Sequence, residues 1–423
     1  MTEKLDSLEF KSIWNDELNY LFDLFERNDF KIRIAGGAVR DLLMGSKPHD
    51  IDLATTATPD QMKEIFDKEN IRMLHTNGEK HGTITVRLND KENYEITTLR
   101  IDVLTDGRHA EVQFTEDWRL DANRRDLTIN SIFLDRDGSI IDFFGGYEDI
   151  KNHRIKFVGQ PSTRIQEDYL RILRYFRFYP RICLDENSHC SQSIEAIKAN
   201  ATGLKGIAGE RIWVEFRKIV CSKFADSLMK QIVDTQVHKY IGLPDSCNLN
   251  EFSTIYRNFE KNLIDIPSPI TMVCSLLHSA KEFEKLHKRM KFSNEEKRIA
   301  EFLFAYRDQC KRNLDQENGT KLEDKLKPFK FILVDNVKDG KAFEKLTELL
   351  KYVNRLEYIE HLRDWQVPIF PITGDILENL KIPKGPIYSK ILFSLKESWK
   401  NEFNLDTSEE TVERLKEMMD EFI

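Results

Sequence analysis

Residues 36–52 read GGAVRDLLMGSKPHDID. Two glycines close an apolar, strand-like run containing Ile32 and Ile34; a short helix signal follows over 38–44, and two aspartates then stand two residues apart. Gly36 and Gly37 let the backbone turn tightly with no Cβ to obstruct a ligand. A helix starting there aims its free N–H groups and positive dipole end at an anion in the turn, and Arg40 adds a charge-assisted fork. In Asp50-Ile51-Asp52, strand periodicity sends both carboxylates to one face. Two like charges that close repel unless a divalent cation lies between them. The stretch reads as a triphosphate cradle beside a metal site. Gly-Gly and D-x-D are each common alone in turns and caps, so their spacing carries the reading.

A two-ion site needs a third acid, and YEITTLRI at 94–101 supplies it. Its β-branched residues favour one strand in which Glu95 shares a face with Thr97 and Leu99. Asp50, Asp52 and Glu95 are therefore the expected catalytic acids, with magnesium on Asp50 and Asp52. Two such ions activate an attacking hydroxyl and stabilise a leaving pyrophosphate, which is nucleotidyl transfer.

Two further motifs bear on the substrate. RRDLTIN at 124–130 combines Arg124 and Arg125 with Asp126 and Asn130, a set suited to phosphate oxygens and ribose hydroxyls. An Arg–Asp surface pair with a helix cap is the bland alternative. RIQEDYLRILRYFRFYPR at 164–181 has Ile165, Tyr169, Ile172, Leu173 and Phe176 at helical spacing, predicting one amphipathic helix. On it Asp168 and Arg171 lie one turn apart, and side by side an acceptor-only carboxylate and a donor-only guanidinium match the amino donor and ring acceptor of cytosine or adenine. Uracil and guanine present the reverse order. An ordinary i,i+3 ion pair is the competing reading. Arg171, Arg174 and Arg177 continue at three-residue spacing, and residues 151–181 hold eight Lys or Arg against two acids in a chain of net charge −8.

Taken in order, GGAVRD, DID, GEKHGT, RRDLTIN and EDYLR resemble the class II tRNA nucleotidyltransferases, the CCA-adding enzymes, a group that includes bacterial poly(A) polymerases within the polymerase β superfamily. The resemblance is dense over 34–181 and looser to the C-terminus. It implies an α+β fold: a polymerase β-like nucleotidyltransferase head with a mixed sheet and helices, then an elongated all-α neck, body and tail. The expected divisions are a head over 1–150, neck over 151–215, body over 216–318 and tRNA-binding tail over 319–423. It also implies Gly36, Gly37 and Arg40 on the triphosphate, ribose discrimination by Asp126 and Asn130, and Arg124 or Arg125 on the nucleotide. Asp168 and Arg171 would read the base, within a ridge extended by Arg174 and Arg177. The stretch 100–114 would be a mobile loop that aids the switch from C to A addition through Asp106, Gly107 and Arg108. The implied activity is addition of C, C and A to the tRNA 3′ end from CTP and ATP with Mg2+. A poly(A) polymerase, a CC-only or A-only enzyme, and a silent RNA-binding protein are the alternatives.

Composition sets the frame. With 64 basic against 72 acidic residues, RNA contact is expected only in local patches, one of them near 381–390 (KIPKGPIYSK). At 423 residues the chain should divide into two to four units. Apolar runs stay below membrane-spanning length, and the start MTEKLDSLEF lacks a signal or transit character, so a cytoplasmic protein is expected, with mitochondrial and nuclear pools left open. The six cysteines show no C-x-x-C spacing and read as free thiols, and His189-Cys190 is too isolated for zinc. Either a monomer or a homodimer is compatible with these features.

Overall fold

The computed structural model describes residues 3–74, 76–105, 110–261, 263, 265–315, 321–379 and 385–419. Its chain divides into two compact units, Met1–Tyr256 with Leu276–Phe292, and Arg257–Ser275 with Ser293–Ile423.

Among its described residues the first unit contains nine strands: β1 (Ile32–Ala35), β2 (Asp52–Thr55), β3 (Arg72–Leu74), β4 (Thr83–Leu88), β5 (Glu92–Thr98), β6 (Arg100–Thr105), β7 (Ala110–Phe114), β8 (Phe133–Leu134) and β9 (Ile140–Ile141). Seven form a mixed sheet in the order β3-β4-β5-β2-β1-β8-β9, while β6 and β7 form a separate antiparallel hairpin. Within the sheet β2 and β5 run parallel, and the other pairs run antiparallel. Alternation explains the sheet's two faces: Tyr94, Ile96 and Thr98 are buried, and Asn93 and Glu95 face solvent. Helices Asp16–Glu26 and Pro59–Lys68 cover apolar surface through Phe25 and Phe66, whose rings meet edge to face at 6.0 Å.

Several sequence expectations shift here. The N-terminal segment forms two helices, Leu8–Ser12 and Asp16–Glu26, each capped by a side chain, from Ser7 and Asn15. The glycine-started helix spans Gly37–Leu43. Only Asp52 lies in β2; Asp50 precedes it in a bend. The run 94–101 is not one strand: β5 ends at Thr98, and Leu99 turns into a buried cluster with Ala35, Ala54, Trp118, Ala122 and Phe133. Burying Leu99 there redirects the chain into the hairpin, so Leu99 does not share the solvent face with Glu95.

The expected helix over 164–181 is also broken. Pro161–Glu167 ends at Asp168, whose backbone is extended (φ −153°, ψ 106°), and a new helix runs over Arg171–Ile182. Beyond Ile141 the described residues contain helices and no further strand of the sheet. Ala280–Met290 and Asn294–Asp315 are separate helices, with a break at Lys291, where φ is 58°. That break coincides with the passage from one unit to the other. The second unit is helical and includes a core around Trp399, Leu395, Ile391, Leu377 and Leu415.

Candidate active site

Gly36 adopts φ 63°, a conformation L side chains avoid, and a Cβ there would sit 2.9 Å from Arg125 Nη1. Glycine thus permits both the turn from β1 into Gly37–Leu43 and the close approach of Arg125. One helical turn on, Arg40 is buried, and its Nη1 donates to Asn130 Oδ1 at 2.8 Å. Burial, opposed by Asp41 and reinforced by nearby Arg181 and Arg177, lowers the Arg40 pKa.

Register places the acids. Asp52 pairs with Glu95 across the parallel β2–β5 ladder, and Glu95 with Thr85 across β4–β5, so these residues lie abreast. Asp52 keeps an exposed edge, yet partial withdrawal of its carboxylate from water raises its pKa, as do the neighbouring Glu95 and Asp50 charges, while Arg125 opposes them. Asp50 points into solvent and contacts His49 Nδ1 at 2.9 Å. Among the described residues no three His, Cys, Asp or Glu side chains converge as a group able to hold a metal ion. The donor chemistry nevertheless fits a hard divalent cation: carboxylate oxygens only, two of them on adjacent strands and opposed by like charge.

Beside these acids opens a cavity of about 460 Å³. Gly36, Gly37, Arg40, Asp52, Arg124, Arg125, Asp126, Asn130, Asp168, Arg171, Arg174 and Arg177 all line it. Asp50 and Glu95 are not among its lining residues. Asp106, Gly107 and Arg108 lie outside the described residues, as do 380–384 of the expected basic patch. Lys390 sits in the helix Pro386–Asn401.

Polar side chains at the cavity are tied to one another, with Arg174 Nη1 also 4.0 Å from Glu215. Asn130 Nδ2 donates to Asp126 Oδ1 at 3.2 Å, Arg174 Nε donates to Asp126 Oδ2 at 2.6 Å, and Arg177 Nη1 donates to Glu215 at 3.0 Å. Burial works to raise the Asp126 pKa, but Arg174 and Asn130 outweigh it and hold the carboxyl below its ordinary value. Asp121 is fully buried and receives Arg124 Nε at 2.8 Å and Arg125 Nη2 at 3.0 Å; these cations overcome burial and lower its pKa.

Asp168 and Arg171 do not pair with one another through their side chains. Asp168 Oδ1 accepts from Leu170 N at 3.0 Å and Oδ2 from Arg211 Nη2 at 2.8 Å. Arg171 Nη1 donates to Arg164 O at 2.9 Å and to Glu167, while Nη2 donates to Arg124 O at 2.8 Å. The helix break turns an expected i,i+3 pair into two separately anchored groups facing one cavity.

The sequence reading missed Asp121, Arg211, Glu215, Phe178 and Arg181. Asp121 had a signal, since it stands three and four residues before Arg124 and Arg125, and Arg211 and Glu215 share a helix face at i,i+4 spacing. Their partners, 43 and 38 residues away, had none. The cysteines are free, and burial pushes the thiols of Cys274 and Cys310 up to about 12. Among the described residues no helix is long and apolar enough to cross a membrane.

A glycine turn, paired strand acids and an arginine-rich cavity suit a nucleoside triphosphate, the substrate chemistry of a nucleotidyltransferase. The Poly A polymerase head domain family matches residues 32–156, and the family described as "Probable RNA and SrmB- binding site of polymerase A" matches residues 191–246. The chain is 47% identical over 399 residues to CCA tRNA nucleotidyltransferase 1, mitochondrial, of Homo sapiens, covering 94% of this chain and 89% of that protein. With the protein of the same name from Danio rerio it shares 44% over 400 residues, covering 95% and 90%. It therefore belongs to the CCA tRNA nucleotidyltransferase family. Its fold is similar to the Bacillus stearothermophilus CCA-adding enzyme in complex with CTP, with TM-score 0.68 and 24% identity over 94% of each chain. It is equally similar to the Thermotoga maritima CCA-adding enzyme complexed with tRNA, with TM-score 0.68 and 19% identity over 99% of each chain.

Proposed function

We propose that this nucleotidyltransferase adds C, C and A stepwise to the tRNA 3′ end from CTP and ATP, without a nucleic-acid template. The observation that carries the reading is one cavity lined both by Gly36, Arg40 and Asp52 and by Asp168 and Arg171. Transfer of the nucleotide and choice of its base then occur in one place.

In this scheme the turn at Gly36-Gly37 and Arg40 receive the triphosphate, with Arg124, Arg125 and Arg174 balancing its charge. Asp126 and Asn130 hold the ribose hydroxyls. Asp168 accepts the exocyclic amino group of cytosine or adenine, each carboxylate oxygen retaining a second lone-pair site beyond its present partner. Arg171 donates to cytosine N3 or adenine N1 through an N–H not already committed to Arg164, Arg124 or Glu167. Asp50 and Asp52 would hold Mg2+, with Glu95 as the third acid, and the ion would supply activation of the RNA 3′ hydroxyl and charge stabilisation. The hydroxyl displaces pyrophosphate in line from the α-phosphorus. Asp50 contacts His49 through Oδ1 alone, which leaves Oδ2 for the ion.

We further infer that residues 1–150 act as head, 151–215 as neck, 216–318 as body and 319–423 as tail, the last gripping tRNA by phosphate and 2′-OH contacts independent of sequence. Residues 106–108 serve the C-to-A switch. The protein works in the cytoplasm, with organellar pools in keeping with relatives named mitochondrial. The decisive assay offers tRNA ending before CCA with each single nucleotide and with CTP plus ATP. Two C additions from CTP alone and one A after them are expected, and long tails from ATP alone would reverse the assignment to a poly(A) polymerase.

A further inference from the structure

Phe178 is buried yet lines the arginine-rich cavity, and four guanidinium groups gather around its ring. The Cζ atoms of Arg40 and Arg177 lie 4.9 Å from the ring centroid, Arg174 at 5.3 Å and Arg181 at 5.9 Å. Arg40 comes from the helix after the glycine turn, and the other three share the helix Arg171–Ile182 with Phe178. Four cations this close repel, and the negative face of an aromatic ring offsets part of that repulsion.

Three of the four also have polar partners: Arg40 has Asp41 and Asn130, Arg174 has Asp126, and Arg177 has Glu215. Arg181 makes no side-chain hydrogen bond or ion pair recorded among the described residues, and it also lines the cavity. The group therefore holds one cation in reserve beside three that are already balanced. A leucine in place of Phe178 keeps most of the apolar bulk and has no quadrupole, so ring chemistry is separable from most of the ring's volume.

We propose that Phe178 is a positioning residue that assembles these four guanidinium groups into one anion-binding unit, and that Arg181 is its contact for a phosphate oxygen of the substrate. The inference rests on the nucleotide reading of the cavity. Phosphate oxygens reach this site on a nucleoside triphosphate or on the RNA strand. The geometry favours the triphosphate, because Arg40 joins the unit directly to the glycine turn.

Steady-state kinetics of the full chain, varying CTP, ATP and a tRNA lacking CCA in turn, test the proposal. Phe178→Leu and Arg181→Gln should each raise KM for CTP and ATP about tenfold, the scale of one or two cation–π contacts, with kcat within about twofold. KM for tRNA and the preference for CTP and ATP over UTP and GTP should hold. Phe178→Tyr should restore KM, and Phe178→Leu with Arg181→Gln together should cost less than the product of the two. Unchanged nucleotide KM in Phe178→Leu, or a loss that Phe178→Tyr does not restore, overturns the unit. A rise in KM for tRNA alone moves the anion to the RNA strand and overturns the triphosphate assignment. Arg174→Gln separates the two levels: if it leaves CTP affinity unchanged the nucleotide reading itself fails, whereas weaker CTP binding there beside unaffected Phe178→Leu sinks only the hub.

Discussion

At the scale of single residues, the acids divide into those proposed to do chemistry and those that hold cations in place. Substituting both Asp50 and Asp52 by Ala should abolish nucleotide incorporation while leaving tRNA binding intact, measured by gel shift beside a primer-extension assay. Retained incorporation would remove the two-metal scheme. Asp168→Ala or Arg171→Ala should blur the choice of CTP and ATP over UTP and GTP, seen as a narrowed ratio of kcat/KM values, and preserved fidelity would defeat the base-edge argument. Asp121 makes a stability prediction. Its pKa is lowered in the folded state, so its contribution is fully present above its ordinary value of 3.8 and fades as pH falls through the lower folded value. Asp121→Asn strips the buried partner from Arg124 and Arg125 and should cost about 3–5 kcal/mol in urea unfolding near neutrality. That cost should be flat from about pH 5 to 8 and shrink below about pH 4. An undiminished cost at low pH would mean packing, not charge, is what Asp121 supplies.

At the scale of elements, the break between Pro161–Glu167 and Arg171–Ile182 is what separates Asp168 from Arg171. Tyr169 sits in that break, and a Cβ on Gly203 would lie 2.1 Å from its ring. Gly203→Ala should therefore push Tyr169 and its neighbour Asp168, costing about 1–3 kcal/mol of stability and, by misplacing Asp168, at least about tenfold in kcat/KM. Adding Tyr169→Ala should recover much of the thermal stability, and a tolerated Gly203→Ala would show that the break is not braced there. The helical stripe in 164–181 was legible because apolar residues recur at helical spacing. Its interruption was not, because Arg171 ends the break by donating to the carbonyl of Arg124, 47 residues earlier. The strand at 94–101 misled for a similar reason: β-branched residues report extended backbone, but only the burial of Leu99 among Ala54, Trp118 and Phe133 turns the chain into the hairpin.

At the scale of the whole molecule, the chain leaves its first unit at Arg257, returns for Leu276–Phe292 and leaves again at Ser293. Trp399 is fully buried in the second unit, and its Nε1–H donates to Asp406 O at 2.6 Å. Trp399→Ala should remove about 3–5 kcal/mol from that core. Calorimetry should then show the melting of the second unit moving to lower temperature while CTP binding persists; one transition shifting as a whole would show that the two units unfold together.

The chemistry on offer is written in short stretches of the chain: a glycine turn before a basic helix, two aspartates nearby, an Arg-Arg-Asp segment and a cationic helix. Each of these is a local pattern, and local backbone geometry follows from neighbouring residues. Family resemblance was legible for the same reason, through motifs a few residues long. Folding in three dimensions sets Asp52 beside Glu95, turns Asp50 to solvent, and brings Arg211, Glu215 and Asp121 to restrain the residues around the cavity. Those pairings join positions far apart in the chain, and their partners are chosen by strand register and by the demand that each buried charge find an opposite one.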